Sequence, residues 1–323
     1  MKKALVLGAS GGMGYALVRE LVSRGVDVVA FARGKEKLKA LFEKESKVTI
    51  YAGDVLTEGE VSQAAQGVDV IFHAVNFPYP VWNVTHLICM DILIRIAEAQ
   101  QAKIALVDNI YAYGAQHKEK ISEDAQKEPH TKKGEIRLAM EDKLKDSNVP
   151  SLIVHFPDFY GPYAENTMLH ETLKNVVRNK SANFVGGVQV AREYLYTFDG
   201  AKAMVELALR DDAYNQNWNI PAVYPITGEE VIKMIREETG YQKSIRTVSK
   251  TMIRFLGMFQ PFMKEMVEMM YLTETPVILS GKKYETEIGP VPTTPYQEGI
   301  KATLRWMMEI DSKVSSIPTT INR

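Results

Sequence analysis

Three glycines spaced three apart, Gly8, Gly11 and Gly14, follow directly on the apolar run Ala4-Leu5-Val6-Leu7 and open a helical pattern over 13–24. A strand, a glycine turn and a helix N-terminus in that order make a phosphate cradle, because the first N–H groups of a helix have no partner within it and its dipole favours an anion. Gly8 permits the tight turn, Gly11 lets backbone approach a pyrophosphate, and Gly14 lets the helix pack closely on the strand. A plain strand-turn-helix connection is the simpler reading of any glycine loop; the placement of this one argues for a dinucleotide. The segment Gly8-Ala9-Ser10-Gly11-Gly12-Met13-Gly14 is therefore expected to hold it, with Ser10, Gly12 and Met13 among the contacts.

The dinucleotide is read from the end of the second strand. NAD binders usually carry an acid there for the ribose hydroxyls. This chain has Phe31-Ala32-Arg33-Gly34-Lys35, and Asp27 lies at the wrong end of the strand. The planar donors of Arg33 suit a 2′-phosphate, with Lys35 and Lys37 adding charge. NADP(H) is expected, with NAD as the other possibility and a solvated basic helix start as the simpler reading. Asp54, in Gly53-Asp54-Val55, is placed to accept from the adenine amino group while Val55 covers the ring; capping the next helix is a second role open to it. Ala74-Val75-Asn76 ends the fourth strand and should line the cofactor.

The elements that must position these residues alternate. Strand-like runs at 4–7, 26–32, 48–52, 68–74, 104–108 and 152–156 are separated by helical patterns near 13–24, 35–43, 58–66, 83–101 and 131–146. The runs are rich in Val and Ile without clean alternation, as strands buried on both faces of a parallel sheet read. The fold class expected is α/β, a Rossmann-type doubly wound parallel sheet over 1–156, with a smaller, mainly C-terminal substrate domain over 157–323. Within the latter, about 194–221 is expected to return to the Rossmann core. Helical patterns recur near 166–179, 198–210, 227–239, 250–271 and 294–311, and the polar tail 315–323 is expected to fray.

Composition narrows the partners. A net charge of −1 over 323 residues offers no basic field for nucleic acid. The lone Cys89 excludes an internal disulfide and fits a reducing compartment. No stretch reads as a membrane span and the N-terminal apolar run is too short for a signal peptide, so a cytoplasmic protein is expected. The six His and the acids show no metal-ligand spacing, and no Gly-x-Ser-x-Gly elbow occurs.

Taken together, these residues resemble the extended short-chain dehydrogenase/reductases, the NAD(P)-dependent epimerases and dehydratases. The resemblance runs through the Gly8–Gly14 loop, Gly53-Asp54-Val55, Asp69-Val70-Ile71-Phe72-His73-Ala74, Tyr113-Gly114, Glu141 and Phe159-Tyr160-Gly161-Pro162. It continues into Tyr196-Thr197-Phe198-Asp199-Gly200-Ala201 and Trp218-Asn219-Ile220-Pro221. It implies a nicotinamide cofactor, which Pro157 helps to line, a small-molecule substrate, and a homodimer built on the helices near 83–101 and 131–146.

The catalytic signature of that family departs here. The family uses Tyr-x-x-x-Lys, yet none of the 15 tyrosines is followed four residues later by lysine. Aligned on Glu141, the slot reads Lys133-Gly134-Glu135-Ile136-Arg137, so Lys133 stands for the Tyr and Arg137 for the Lys. The usual Ser position falls on Asp108 or Asn109, and His155 replaces a common Arg. Arg137 can donate to ribose hydroxyls but is no proton source. Lys133 is a candidate acid, with a solvated helix-start lysine as the alternative. Asn109 offers a hydrogen bond to a substrate carbonyl, and Tyr113, Tyr111 and Tyr160 offer phenols. The Met- and Phe-rich stretch 252–271 reads as core that partly lines the cleft. Two functions stay open: an NADP(H)-dependent oxidoreductase or epimerase-like enzyme with a non-standard site, and a catalytically silent NADP(H) sensor.

Overall fold

A computed structural model describes residues 1–116 and 118–315, so the polar tail from 316 onward lies outside the described residues. Its centre is a seven-stranded sheet in the order β10-β6-β5-β4-β1-β2-β3, with every pairing parallel. The first half alternates as the sequence predicts: β1 Lys3–Leu7, α1 Gly12–Ser23, β2 Asp27–Ala32, α2 Lys35–Phe42, β3 Val48–Ala52, α3 Glu58–Ala64 and β4 Val70–His73. It continues through α4 Trp82–Gln100, β5 Lys103–Asn109, α5 Lys132–Lys145 and β6 Ser151–Phe156.

Side chains of a strand alternate between faces, and here both faces are covered. Ala4 and Val6 of β1 pack with Leu17 of α1 and Phe42 of α2, whereas Leu5 and Leu7 pack with Val61 of α3, Leu93 of α4 and Met140 of α5. The register aligns the strand ends: Leu7 lies beside both Phe31 and His73, and Asn109 beside Phe156. Loops leaving β1, β2, β4, β5 and β6 therefore open on one edge, where strand order reverses and ligands of such sheets bind.

The second half adds β7 Asp158–Tyr160, α6 Met168–Val177, β8 Ala182–Val185, β9 Tyr194–Tyr196, α7 Thr197–Ala208 and β10 Gln216–Asn219. Then come α8 Gly228–Thr239, β11 Ile245–Val248, α9 Lys250–Gly257, α10 Pro261–Met266, α11 Lys282–Glu287 and α12 Tyr296–Ser315. β10 joins the main sheet beside β6, and α7 shares the core of α1. A separate core holds α6, α8 and α12 over the β8–β11 pair. The single helix expected over 250–271 is instead α9, α10 and a 3-10 turn, Val267–Thr273. Proline at the first position of α10 cannot continue the preceding helix, and Gly257 lets the two helices nearly touch, since a Cβ there would lie 2.9 Å from the Lys264 backbone. Tyr79–Gln100 qualifies the reading that nothing nears a membrane span: it is long and apolar enough by length and composition. Cys89, Met90, Leu93 and Ala97 nevertheless pack on the sheet, as in a core helix.

A Cβ on Gly14 would overlap the Gly8 carbonyl, whereas one on Gly59 of α3 meets nothing within 4 Å. Gly14→Ala is expected to cost ~1–3 kcal/mol through forced overpacking. Gly59→Ala should be neutral or stabilise by up to ~1 kcal/mol through helix propensity. Thermal unfolding of the two variants checks this contrast.

Candidate dinucleotide and active site

The glycine loop has the geometry of a cradle. Gly8 has φ +81°, and a Cβ there would meet the Ala74 carbonyl at 2.7 Å, so only glycine serves. Gly8 N and Ala9 N donate to the Phe31 carbonyl at 3.0 and 3.1 Å, stitching the loop to the end of β2. Gly11 is exposed, and a Cβ there would meet only the Gly8 carbonyl, at 3.5 Å. α1 has neither a side-chain cap nor an acid in its first turn, which leaves its leading N–H groups to an external acceptor. These features fit a dinucleotide pyrophosphate. Gly12 has a further duty, since a Cβ there would fall 2.6 Å from Ala164 of the second half. Ser10 is partly exposed, while the Met13 side chain is buried in the core, so only its backbone faces the loop.

Arg33 and Lys35 are exposed, and among the described residues neither has an ion-pair partner. Lys37 is taken by Glu165 at 3.2 Å. Asp54 Oδ1 accepts from Leu56 N at 2.9 Å, closing a local turn; the N-cap position of α3 is Thr57, whose side chain makes no capping hydrogen bond, so Asp54 is not the cap of that helix. Val55 is buried, and Ala74, Val75 and Asn76 grow progressively more open beyond β4.

The family's catalytic slot lies at the start of α5. Thr131 caps that helix by accepting from Gly134 N at 3.1 Å. A Cβ on Gly134 would lie 2.6 Å from the Tyr111 carbonyl, so the helix rests directly on the 3-10 turn Ile110–Tyr113 that follows β5. Lys133 and Arg137, one turn apart, are thereby brought together at the sheet edge. Lys133 is 2% exposed. Its ammonium donates to Glu265 and lies 2.8 Å from Glu268, and it sits 5.5 Å from the centre of the Tyr79 ring. Arg137 lies 3.4 Å from Asp108 and 4.8 Å from the Trp82 ring centre. The Tyr79 and Tyr111 hydroxyls are 3.0 Å apart, and burial pushes Tyr79 up to about 12 and Tyr111 well above its ordinary value. Burial likewise raises Asp108, against the pull of Arg137. Asn109 is at the edge, but its side-chain oxygen accepts from Tyr111 N at 3.0 Å and holds the turn.

Other candidates are placed elsewhere. Tyr113 is fully buried and its hydroxyl donates to Asn219 Oδ1 at 2.8 Å, which ties the turn to β10. Tyr160 sits in the second core beside Tyr296. His155 is fully buried, with Nε2 3.0 Å from Glu141 and 2.9 Å from Lys127. Burial pushes the Glu141 carboxyl up, but His155 and Lys127 pull it down harder, to well below the carboxylate range. Asp108, Glu141 and His155 bring possible metal-ligating atoms within 4.8 Å of one another, yet Lys127 and Arg137 already supply the positive charge there. Sequence reasoning passed over Tyr79, Trp82 and Asp158. Asp158 follows Pro157 at the start of β7, and burial raises its carboxyl against the pull of Arg192. An acid directly after the proline that ends a parallel strand was the available signal.

Residues 8–192 match the family model described as NAD(P)H-binding, and the chain belongs to that family. Among solved structures it is similar to the dTDP-glucose 4,6-dehydratase of Bacillus anthracis in complex with NAD, with a TM-score of 0.80 and 16% identity over 97% of this chain and 98% of that one. It is also similar to the UDP-glucuronic acid 4-epimerase of Bacillus cereus in complex with NAD, with a TM-score of 0.77 and 17% identity over 95% and 99%. At such identities the likeness is one of fold, that of the extended epimerases and dehydratases. A curated relative, the 2-alkyl-3-oxoalkanoate reductase of Shewanella oneidensis, is 39% identical over 74 residues, 23% of this chain and 18% of that protein.

Beneath the edge, His73 is 1% exposed and neither ring nitrogen has a partner among the described residues. Burial and, secondarily, Arg137 lower it from 6.5 to about 3. The unfolded imidazole takes its proton near 6.5 and the folded one only near 3, so this contribution to stability is present above 6.5 and is lost as pH falls through that window. His73→Leu is therefore expected to change stability by less than ~1.5 kcal/mol at pH 7.5, and to lose less of its unfolding midpoint than the wild type on acidification, a comparison open to calorimetry.

Proposed function

We propose that the chain is an NADP(H)-dependent oxidoreductase or epimerase-like enzyme acting on a small carbonyl or sugar-type substrate through a non-standard site. The observation that carries this reading is the buried ammonium of Lys133 beside the Tyr79–Tyr111 phenol pair, on the edge that also carries the glycine loop. The Gly8–Gly14 loop, Arg33, Asp54, Val55, Ala74, Val75, Asn76, Arg137 and Pro157 would hold the dinucleotide, with Arg33 on a 2′-phosphate. Bound there, the nicotinamide supplies or accepts a hydride. Lys133 has three N–H donors, of which two face Glu265 and Glu268; the third is assigned to a substrate oxygen. Positive charge at that point stabilises an oxygen that gains negative charge, and the ammonium holds a proton to give it. Arg137, fixed by Asp108, donates to ribose hydroxyls without serving as an acid. The solved relatives are named for nucleotide sugars and the curated one for a 3-oxoalkanoate, which supports a carbonyl or sugar-type substrate. Exposed Val84 and Ile88 on α4 support a homodimer.

One observation favours a silent NADP(H) sensor instead: both carboxylates already sit on Lys133, under cover of α10. Following NADPH oxidation across a carbonyl and nucleotide-sugar panel separates the two, and cofactor binding with no oxidation on any compound selects the sensor. With an active substrate in hand, Lys133→Met is expected to lower kcat by ~100-fold or more with dinucleotide affinity unchanged; unaltered turnover would remove Lys133 from the chemistry. Arg33→Ser should weaken NADP binding by roughly ten- to a hundredfold, the worth of a charged hydrogen bond, and leave NAD binding alone. Titration of both dinucleotides reads this, and wild-type protein that binds NAD as tightly as NADP would overturn the assignment.

A further inference from the structure

The hairpin of α9 and α10 turns its apolar side outward. Met252, Phe255, Leu256, Met258, Phe259 and Phe262 are all exposed, Phe259 by 74% and Met258 by 66%. The hairpin is nevertheless firmly based. Ile253 and Met266 anchor it in a small core with Val248 and Met270, and the Phe262 ring stacks on Tyr79 at 5.7 Å. Monomeric proteins rarely leave so dense an apolar cluster uncovered without a use for it.

The charges around the tip are one-sided. From 240 to 264 the chain carries five basic residues, Lys243, Arg246, Lys250, Arg254 and Lys264, and no acid, although its net charge is −1. The nearest acids along the chain beyond it turn away: Glu265 and Glu268 are spent on Lys133, and Glu274 pairs with Lys250 at 3.4 Å. Arg246, Arg254 and Lys264 are exposed, and none has an ion-pair partner among the described residues. Large apolar side chains at the tip of a helix pair, flanked by unpaired cations, have the composition of a segment that lies in the interface of an anionic bilayer. A second copy fits less well, because a two-fold contact sets a patch against itself and would bring the unpaired Arg254 and Lys264 against their own copies. Single-stranded nucleic acid would offer bases to the phenylalanines but no apolar medium for Met252, Leu256 and Met258, which are exposed beside them.

We propose that the α9–α10 tip docks on the surface of an anionic lipid bilayer, with Phe255, Met258 and Phe259 in the acyl boundary and Arg254 and Lys264 at the headgroups. The contact is peripheral and does not depend on whether the site beneath turns over a substrate.

Sedimentation of the full chain with vesicles tests it. The wild type is expected to bind vesicles of phosphatidylcholine with one-third phosphatidylglycerol, and phosphatidylcholine alone far more weakly. Phe255→Glu/Phe259→Glu should weaken binding at least tenfold, roughly the effect of withdrawing even one phenylalanine from an apolar medium. Arg254→Gln/Lys264→Gln should weaken it about fivefold per charge, and salt should do the same. All four side chains are exposed, so unchanged thermal unfolding and dinucleotide affinity certify the fold of each variant. Wild-type protein that ignores the mixed vesicles, or a phenylalanine variant that binds them equally, overturns the proposal. A concentration-dependent dimer abolished by Phe255→Glu/Phe259→Glu, without vesicle binding, gives the face to a second copy and overturns it as well.

Discussion

Buried charge must be matched, and this requirement organises the edge of the sheet. An ion taken out of water costs several kcal/mol unless a partner of opposite sign comes with it. Lys133, Arg137, Asp108, Glu141 and His155 are each at most 5% exposed, and Lys127 is nearly as deeply placed. Each cation has its acid, and each pair joins one element to another. Asp108–Arg137 fastens α5 to β5, Glu141 with His155 and Lys127 fastens α5 to β6 and to the loop before it, and Lys133 with Glu265 and Glu268 draws α10 across the start of α5. Removing Arg137 would leave Asp108 without its ion-pair partner, and removing Lys133 would leave two carboxylates without their cation, so fold and site stand on the same set of pairs.

Much of the frame that carries these pairs is legible in the sequence, for a local reason. A parallel strand buried on both faces is a continuous apolar run, the helix between two such runs has its own period, and the glycine loop announces itself by spacing. β1 to β6 and α1 to α5 consequently fall within a residue or two of the runs and patterns that predict them. The second half was harder to read. β7, β8, β9 and β11 have three or four residues each, too few to show a period, and the break at Pro261 is hidden inside an otherwise helical apolar pattern. At the site, the place of Lys133 and Arg137 could be read from the motif around Glu141, but their partners could not. Glu265 lies 132 residues from Lys133, and nothing local in either segment points to the other. Tyr113 shows the converse: a motif residue with the right chemistry whose hydroxyl is committed to Asn219.

The exchange of side chains in the catalytic slot changes what the edge can do. In the related family a lysine beside the tyrosine lowers the phenol's pKa, which makes it a base as readily as an acid. Here the nearby phenols, Tyr79 and Tyr111, are pushed the other way by burial, with no lysine four residues on to oppose it. Both keep their protons at neutral pH, and because the two hydroxyls bond to each other, one O–H is left to donate outward. With Lys133 and Arg137 also donors, the groups that face the proposed substrate position share one polarity. Donors of that kind stabilise an oxygen on which negative charge develops and serve poorly to take a proton from an alcohol. On the enzymatic reading, the edge is therefore built for the direction in which a carbonyl gains hydride and proton. The same surplus of donors is what a sensor would use to hold an anionic ligand without transforming it. The two readings thus differ in one respect, whether α10 yields Lys133 to a substrate, and that depends on how firmly Glu265 and Glu268 hold it.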